Sequence, residues 1–360
     1  MNPCFWPEVR RGSERLIREL TDELLARGHG VRLITGHPGR PRVDVEDGLV
    51  IVRNPRVLDR YLARRAVQEY VTHVPLSYLS LRRGDDDLAH AFYPTDAAAA
   101  VRWSRATGRP AVFSYMGIPQ RSVLAARRMR LRLLTEAVDG ASAVVALSHA
   151  TARGLRRWLG VAEPHVIHPP TDCETFTLGG RRAEHPTIMC PAPWDDDRKR
   201  VPLLVEAFRL VRRERPTARL RLLAPSDASA AESLTREAGV ELFEPVEQPA
   251  DLTPLYQSAW VTALASYNEA FGIVLVESLA CGTPVVAANE GGPPEIVDQP
   301  QLGRLFDGGE PRAVAAALLE ALEVAEDPGN VAGCRESALR FSSQRCAEAH
   351  EALYHELLAR

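Results

Sequence analysis

Residues 266–297 read SYNEAFGIVLVESLACGTPVVAANEGGPPEIV, and their pattern decides the fold. The tight turn Ala270-Phe271-Gly272 opens directly into the apolar run Ile273 to Cys281, which has the length of a buried helix. Pro284 to Ala288 is a short apolar run of the kind a buried parallel strand uses. Upstream, Trp260 to Leu264 is another, so the stretch reads strand, helix, strand. The same alternation runs back through Leu220 to Ala224 (strand), Val201 to Arg213 (helix) and Thr187 to Cys190 (strand). The proline-rich passage His168-Pro169-Pro170, followed by Gly179-Gly180, interrupts it and marks a domain boundary.

Before that boundary the alternation appears again. Ser13 to Arg27 places Leu16, Ile17, Leu20, Leu24 and Leu25 at helical spacing, and Gly28 ends the run. Val31 to Thr35, Ala111 to Tyr115 and Ala143 to Leu147 are strand candidates. Ser148 is placed to cap a helix that reaches Leu159 and closes at Gly160. Strands alternating with helices imply parallel sheets. The expected architecture is α/β, with two Rossmann-like, doubly wound domains. These span 1–168 and 169–343, and an amphipathic helix, 344–360, packs back toward the first. Ligands of such sheets lie at the carboxyl ends of the strands, here facing an interdomain cleft.

Composition narrows the function. A chain of 360 residues, 45% hydrophobic and 25% charged, is that of a soluble globular protein. Its formal charge of -3 argues against nucleic acid as a partner. No apolar run is long enough to span a bilayer, and no signal peptide is legible, so a cytoplasmic protein is expected. Arginine blocks at Arg82-Arg83 and Arg127 to Arg130 read first as solvated faces, but they leave open an anionic acceptor or a peripheral membrane contact. The six cysteines are scattered without the close pairs of zinc sites, so neither a metal nor another cofactor is expected. Among 44 basic residues there is one lysine, Lys199; the other 43 (44 − 1) are arginine.

The quoted stretch also carries chemistry. Unpaired amides and the dipole at the start of a helix favour an anion such as a pyrophosphate. Glu269 lies just before that helix and Glu277 about one turn inside it. Carboxylates accept hydrogen bonds and sugar hydroxyls donate them, so the pair suits a polyol on either side of a phosphate. Taken alone, two glutamates eight residues apart are commonplace on a solvated helix face.

Several further landmarks fall in a fixed order: Phe271-Gly272, Gly282-Thr283-Pro284 and Gly291-Gly292, then Arg27-Gly28-His29, His90-Ala91, Asp172 to Phe176, Leu255-Tyr256 and Glu295 to Val297. With the two glutamates, they resemble the glycosyltransferase group 1 family, retaining enzymes of the GT-B architecture. Trp6 to Arg15, including Gly12, resembles that family's glycine loop and first helix. Lys199 with Leu204 to Phe208 resembles its phosphate-binding segment.

The resemblance implies that Glu277 binds the nucleotide ribose and Glu269 the hydroxyls of the transferred sugar. Amides around Phe271, Gly272 and Ile273 would hold the sugar and distal phosphate, and Lys199 would neutralise the diphosphate. Lysine meets phosphate as a compact point charge, which suits its survival in an arginine-biased chain. The implied reaction is retaining transfer of a hexosyl-type sugar from a nucleoside-diphosphate sugar to an acceptor that the sequence does not name. The leaving diphosphate itself takes the acceptor proton.

Three positions depart from the family pattern. Trp194 stands where an arginine is usual, and Arg200 replaces a glycine; Arg198 or Arg200 is the expected substitute charge. Met116 stands where a histidine near the sugar is common, and His90 reads as structural rather than as a base. Only six residues precede Pro7, so the first strand is expected as a stub over Asn2 to Trp6, or Met1 is not the native start. The rival reading is a non-catalytic nucleotide-sugar-binding partner of an active transferase. A phosphorylase or a nucleotide-sugar epimerase fits less well, because a phosphorylase needs a cofactor lysine deep in its second domain.

Overall fold

The computed structural model describes the chain except residues 7, 9–11, 57–60, 62–68 and 247. Most of the glycine loop read between Trp6 and Gly12 therefore lies outside the described residues. The chain forms two compact units, one of Met1–Pro170 with Ser343–Arg360, the other of Thr171–Ser342.

In the first unit, α1 (Gly12–Ala26) buries Leu16, Ile17, Leu20 and Leu24. It precedes β1 (Arg32–His37), which pairs in parallel with β3 (Leu49–Pro55). β2 (Arg42–Glu46) runs antiparallel to β3. Asp47 and Gly48 both have positive φ, 48° and 85°, the backbone of a tight hairpin. This hairpin departs from the purely parallel reading, because a two-residue turn joins only antiparallel strands.

A second, wholly parallel sheet contains β4 (Ala89–Ala91), β5 (Ala111–Tyr115), β6 (Ala143–Ala146) and β7 (His165–Val166). The first residues fill the space between the two sheets. The amide of Asn2 donates to Ile34 O (3.1 Å), Gly36 N donates to Pro3 O (3.2 Å), and on the other side Phe92 N donates to Met1 O (3.0 Å). Asn2 forms a parallel bridge with Thr35, while Cys4 to Trp6 lie outside any strand. Met1 to Pro3 thus satisfy backbone groups on the facing edges of the two sheets.

Helices cover this sheet. α2 (His73–Arg82), α3 (Pro94–Thr107), α4 (Arg121–Ala125), α5 (Arg128–Gly140) and α6 (His149–Leu159) follow in order. The run Ala97 to Ala100 is fully buried, and these small side chains let α3 pack against both α2 and α5. Ser148 caps α6 by accepting from Thr151 N (3.1 Å), and Gly160 closes it with φ 69°.

The second unit carries one parallel sheet: β8 (Thr187–Cys190), β9 (Arg219–Leu223), β10 (Val240–Phe243), β11 (Val261–Leu264), β12 (Val285–Ala288) and β13 (Gly303–Phe306). Their spatial order is β10-β9-β8-β11-β12-β13. The chain builds outward from β8 in one direction, then returns and builds outward from β11 in the other. This is the Rossmann order, and it puts the switch point between β8 and β11. The central strands β8, β11 and β12 are buried along their whole length, whereas β10 at the edge is not.

The connecting helices include α7 (Val201–Glu214), α8 (Ala228–Thr235), α9 (Thr253–Ser258), α10 (Ile273–Ala280), α11 (Pro293–Ile296), α12 (Pro311–Glu326) and α13 (Asn330–Leu339). The final helix, α14 (Ser343–Leu358), belongs to the first unit and lies on α1. Arg27 bridges there to Glu348 (3.3 Å) and Glu351 (3.2 Å).

Candidate active site

The loop after β8 carries the lone lysine. Asp196 accepts from Arg198 N (3.0 Å) and so opens a short 3-10 turn, Asp197–Lys199. Arg200 ends the turn in the left-handed region, φ 49° and ψ 37°. That conformation costs a residue with a Cβ roughly 1–2 kcal/mol, which explains why glycine is the natural occupant. The Arg200 side chain ties neighbouring loops together. Its Nε donates to Ala265 O (2.6 Å) just beyond β11, its guanidinium stacks 5.7 Å from the Tyr267 ring, and it lies 3.7 Å from Glu290 after β12. Tyr267 N donates to Arg198 O (3.0 Å), a further strap between the β8 and β11 loops.

Across the switch point, Lys199 Nζ donates to Glu269 Oε2 at 2.7 Å. The two side chains are only 20% and 17% exposed. Residues 70 apart in sequence thus meet because β8 and β11 are neighbours.

Behind Glu269 the chain enters α10 through Gly272, whose φ of 105° glycine adopts without strain and whose lack of a side chain leaves the helix start without a side-chain cap. Phe271 is buried and packs edge-on against Phe341, 5.2 Å between ring centres. The loop after β12 presses on this turn. Gly292 N donates to Glu269 O (2.9 Å). A Cβ on Gly292 would fall 2.4 Å from Phe271 Cα, and one on Gly291 would fall 2.3 Å from Glu269 O. The glycine pair therefore permits a close backbone approach that fixes the Glu269-to-Gly272 turn.

Glu277 lies on α10, buried at 1% exposure, and its Oε2 accepts from the Tyr256 hydroxyl at 2.7 Å. Tyr256 is itself fully buried and its main-chain carbonyl accepts from Thr283 Oγ1 (2.8 Å), so α9 and the turn before β12 hold this carboxylate. The motif step Leu255-Tyr256 was the sequence signal for that partner.

Other expected site residues stand apart. Arg198 turns outward and its guanidinium bonds Asp196 Oδ2 (2.6 Å) rather than joining Lys199. Trp194 packs its ring against the apolar core of its unit, which its missing charge allows. Gly12 opens α1 in the first unit. His90 is held at both ring nitrogens, by the Tyr354 hydroxyl (2.6 Å) and Ser114 Oγ (2.8 Å), and burial beside His350 pushes its pKa well below the usual value. It is a structural histidine. Among the described residues no group of three or more His, Cys, Asp or Glu could hold a metal ion, and no helix is long and apolar enough to cross a membrane.

Comparison with known proteins agrees with this layout. Residues 185–324 match the family described as Glycosyl transferases group 1, and residues 10–175 match Glycosyltransferase Family 4. The chain belongs to the group 1 glycosyltransferases. A D-inositol 3-phosphate glycosyltransferase of Arthrobacter sp. (strain FB24) is 29% identical over 344 residues, covering 86% of this chain and 81% of that protein. One of the same name from Corynebacterium kroppenstedtii is 34% identical over 175 residues, but the match covers only 42% of this chain and 39% of that protein. Among solved structures, sucrose-phosphate synthase from Thermosynechococcus elongatus aligns with TM-score 0.81 at 23% identity, over 97% of this chain and 94% of that one. Anabaena HepE, solved in complex with UDP-glucose, aligns with TM-score 0.72 at 18% identity over 99% and 100%. The fold of this glycosyltransferase is GT-B.

Proposed function

We propose that this glycosyltransferase moves a hexosyl-type sugar from a nucleoside-diphosphate sugar to a small-molecule acceptor with retention of anomeric configuration. The observation that carries the reading is the Lys199–Glu269 pair at the switch point beside the uncapped start of α10. It supports a site with a cation and helix amides for a diphosphate and a carboxylate for the sugar hydroxyls beside it.

On this reading the donor separates the pair. The distal phosphate takes Lys199 and the amides of Gly272 and Ile273, while sugar hydroxyls donate to Glu269. Glu277, oriented by Tyr256, accepts from the ribose. The bond between the anomeric carbon and the diphosphate oxygen breaks as the acceptor oxygen attacks from the same face. The acceptor proton passes to the departing phosphate oxygen. The protein supplies position and charge stabilisation on the leaving group, and no side-chain base is required. No metal enters this scheme, because Lys199 and the amides meet the developing charge.

The acceptor class is suggested by the relatives named for D-inositol 3-phosphate. A non-catalytic role is disfavoured by a lone lysine and a glutamate from separate loops held in contact, since a bystander fold has no need of that pair.

Turnover with a panel of nucleotide sugars and phosphorylated polyols, with the product read by proton NMR, tests the proposal. A product whose anomeric coupling matches that of the donor is expected. An inverted product, or turnover unchanged in Lys199→Ala, contradicts it.

A further inference from the structure

Residues 121–132, RSVLAARRMRLR, carry five arginines and no acidic residue in a chain whose net charge is -3. They form α4 and the first turn of α5 in the first unit. α5 buries Leu133, Leu134, Ala137 and Val138 against the unit. Its first turn has no such cover. Met129 is 43% exposed and Leu131 36%, on opposite flanks of the solvent face that Arg128 and Arg132 share at i, i+4. Val123, on α4, adds a third apolar side chain at 43%.

Of the five arginines, Arg127 pairs with Glu69 at 3.4 Å. Arg121, Arg128, Arg130 and Arg132 make no ion pair with a described residue. One turn further along α5, by contrast, Glu136 meets Arg102 (2.8 Å). Uncompensated arginines interleaved with exposed apolar side chains suit one kind of surface. Anionic headgroups take the guanidiniums while acyl chains take the methionine, leucine and valine. A soluble anion would engage the arginines and leave the apolar side chains in water.

We infer that α4 and the first turn of α5 dock this enzyme peripherally on an anionic lipid bilayer. Because the whole chain is acidic, the attraction is local to this segment, and it operates independently of donor binding in the other unit.

The test is co-sedimentation of the full chain with phosphatidylglycerol–phosphatidylcholine vesicles and with pure phosphatidylcholine vesicles. Binding to the anionic vesicles only, weakened by high salt, is expected. The variant R128S/R130S/R132S should bind at least tenfold more weakly, and Leu131→Asp should weaken binding while leaving the arginines in place. R82S/R83S, which removes an exposed basic pair on α2 and the turn after it, should bind as the parent does. All of these positions are exposed except the half-buried Arg130, and unchanged thermal unfolding and nucleotide binding in each variant confirm a folded protein. No sedimentation of the parent with anionic vesicles overturns the inference. So does equal loss in R82S/R83S and the triple variant, which would mean unspecific charge attraction. Binding that responds to the arginines but not to Leu131→Asp also overturns it, pointing to a soluble anion site.

Discussion

Lys199 and Glu269 illustrate how much a single residue type can say. A lysine surviving among 43 arginines (44 − 1) is visible in sequence, but its contact with a carboxylate 70 positions away depends on strand order. Removing Lys199 leaves Glu269 without its cation and a bound diphosphate without its counter-charge. Lys199→Ala is therefore expected to lower kcat by about two to three orders of magnitude, the range for losing one transition-state charge contact. Arg200 was legible only as a departure from the family pattern; its bracing of Ala265 and Tyr267 is a product of loop geometry. Arg200→Gly relieves the left-handed backbone yet cuts the strap. Its unfolding temperature should move little, while KM for the donor rises severalfold; a KM equal to the parent's would show that the strap does not position Lys199. Gly292→Ala is the sharper steric test, because its φ of -80° is ordinary and the methyl group is opposed by backbone alone, Phe271 Cα at 2.4 Å, Ala270 O at 2.6 Å and Phe271 N at 2.8 Å. We expect about 1–3 kcal/mol of lost stability and weakened donor binding, read by denaturant unfolding and calorimetry.

At the scale of elements, α14 is expected to be sensitive to acid. His350 is buried, with Nδ1 on the Cys346 carbonyl (2.9 Å) and Nε2 without a partner. Charging it would bury an unsatisfied N–H, and burial lowers its pKa to about 4. His90 beside it, 5.4 Å between rings, is depressed as well. Both folded-state values lie below the unfolded value near 6.5, so the stability they contribute is present above about pH 6.5 and is lost as pH falls toward 4. His73 works in the opposite sense. Burial pulls its pKa down, but the charge and hydrogen bond of Asp96 (2.9 Å), with the Thr35 backbone, outweigh that and raise it. Its contribution is complete below about pH 6.5 and fades as pH rises through its raised value. His350→Gln should therefore flatten the acid limb of a Tm-versus-pH curve between pH 6.5 and 4; an unchanged limb would show that other groups drive it. None of this was legible from sequence, where His350 is one histidine among ten. The β2–β3 hairpin was missed for a related reason. Its β2 face is largely exposed and carries no apolar run, although the Asp47-Gly48 pair is a hairpin signal in its own right.

On the scale of the whole molecule, the alternation of strand and helix in the second unit was readable because its central strands are short apolar runs buried on both faces. The elements that periodicity named lie within a residue or two of the observed ones, with β11 at Val261–Leu264 and α10 at Ile273–Ala280, but β10, β13, α8, α12 and α13 were not read. It could not give their order across the sheet, and that order brings the β8 and β11 loops together. The site is therefore a consequence of topology, with motif residues supplying its chemistry. Ligand linkage follows from the same layout: a nucleotide held at 100 times its Kd should add about 2.7 kcal/mol to the stability of the native protein. The central claim is that the switch point between β8 and β11 binds a nucleoside diphosphate, and isothermal calorimetry tests it most directly. Uridine, guanosine and adenosine diphosphates and their sugars would be titrated into the parent, Lys199→Ala and Glu277→Ala. The account predicts that one nucleotide binds the parent tightly and that both substitutions weaken it at least tenfold. Equal binding by the parent and both folded variants would contradict it.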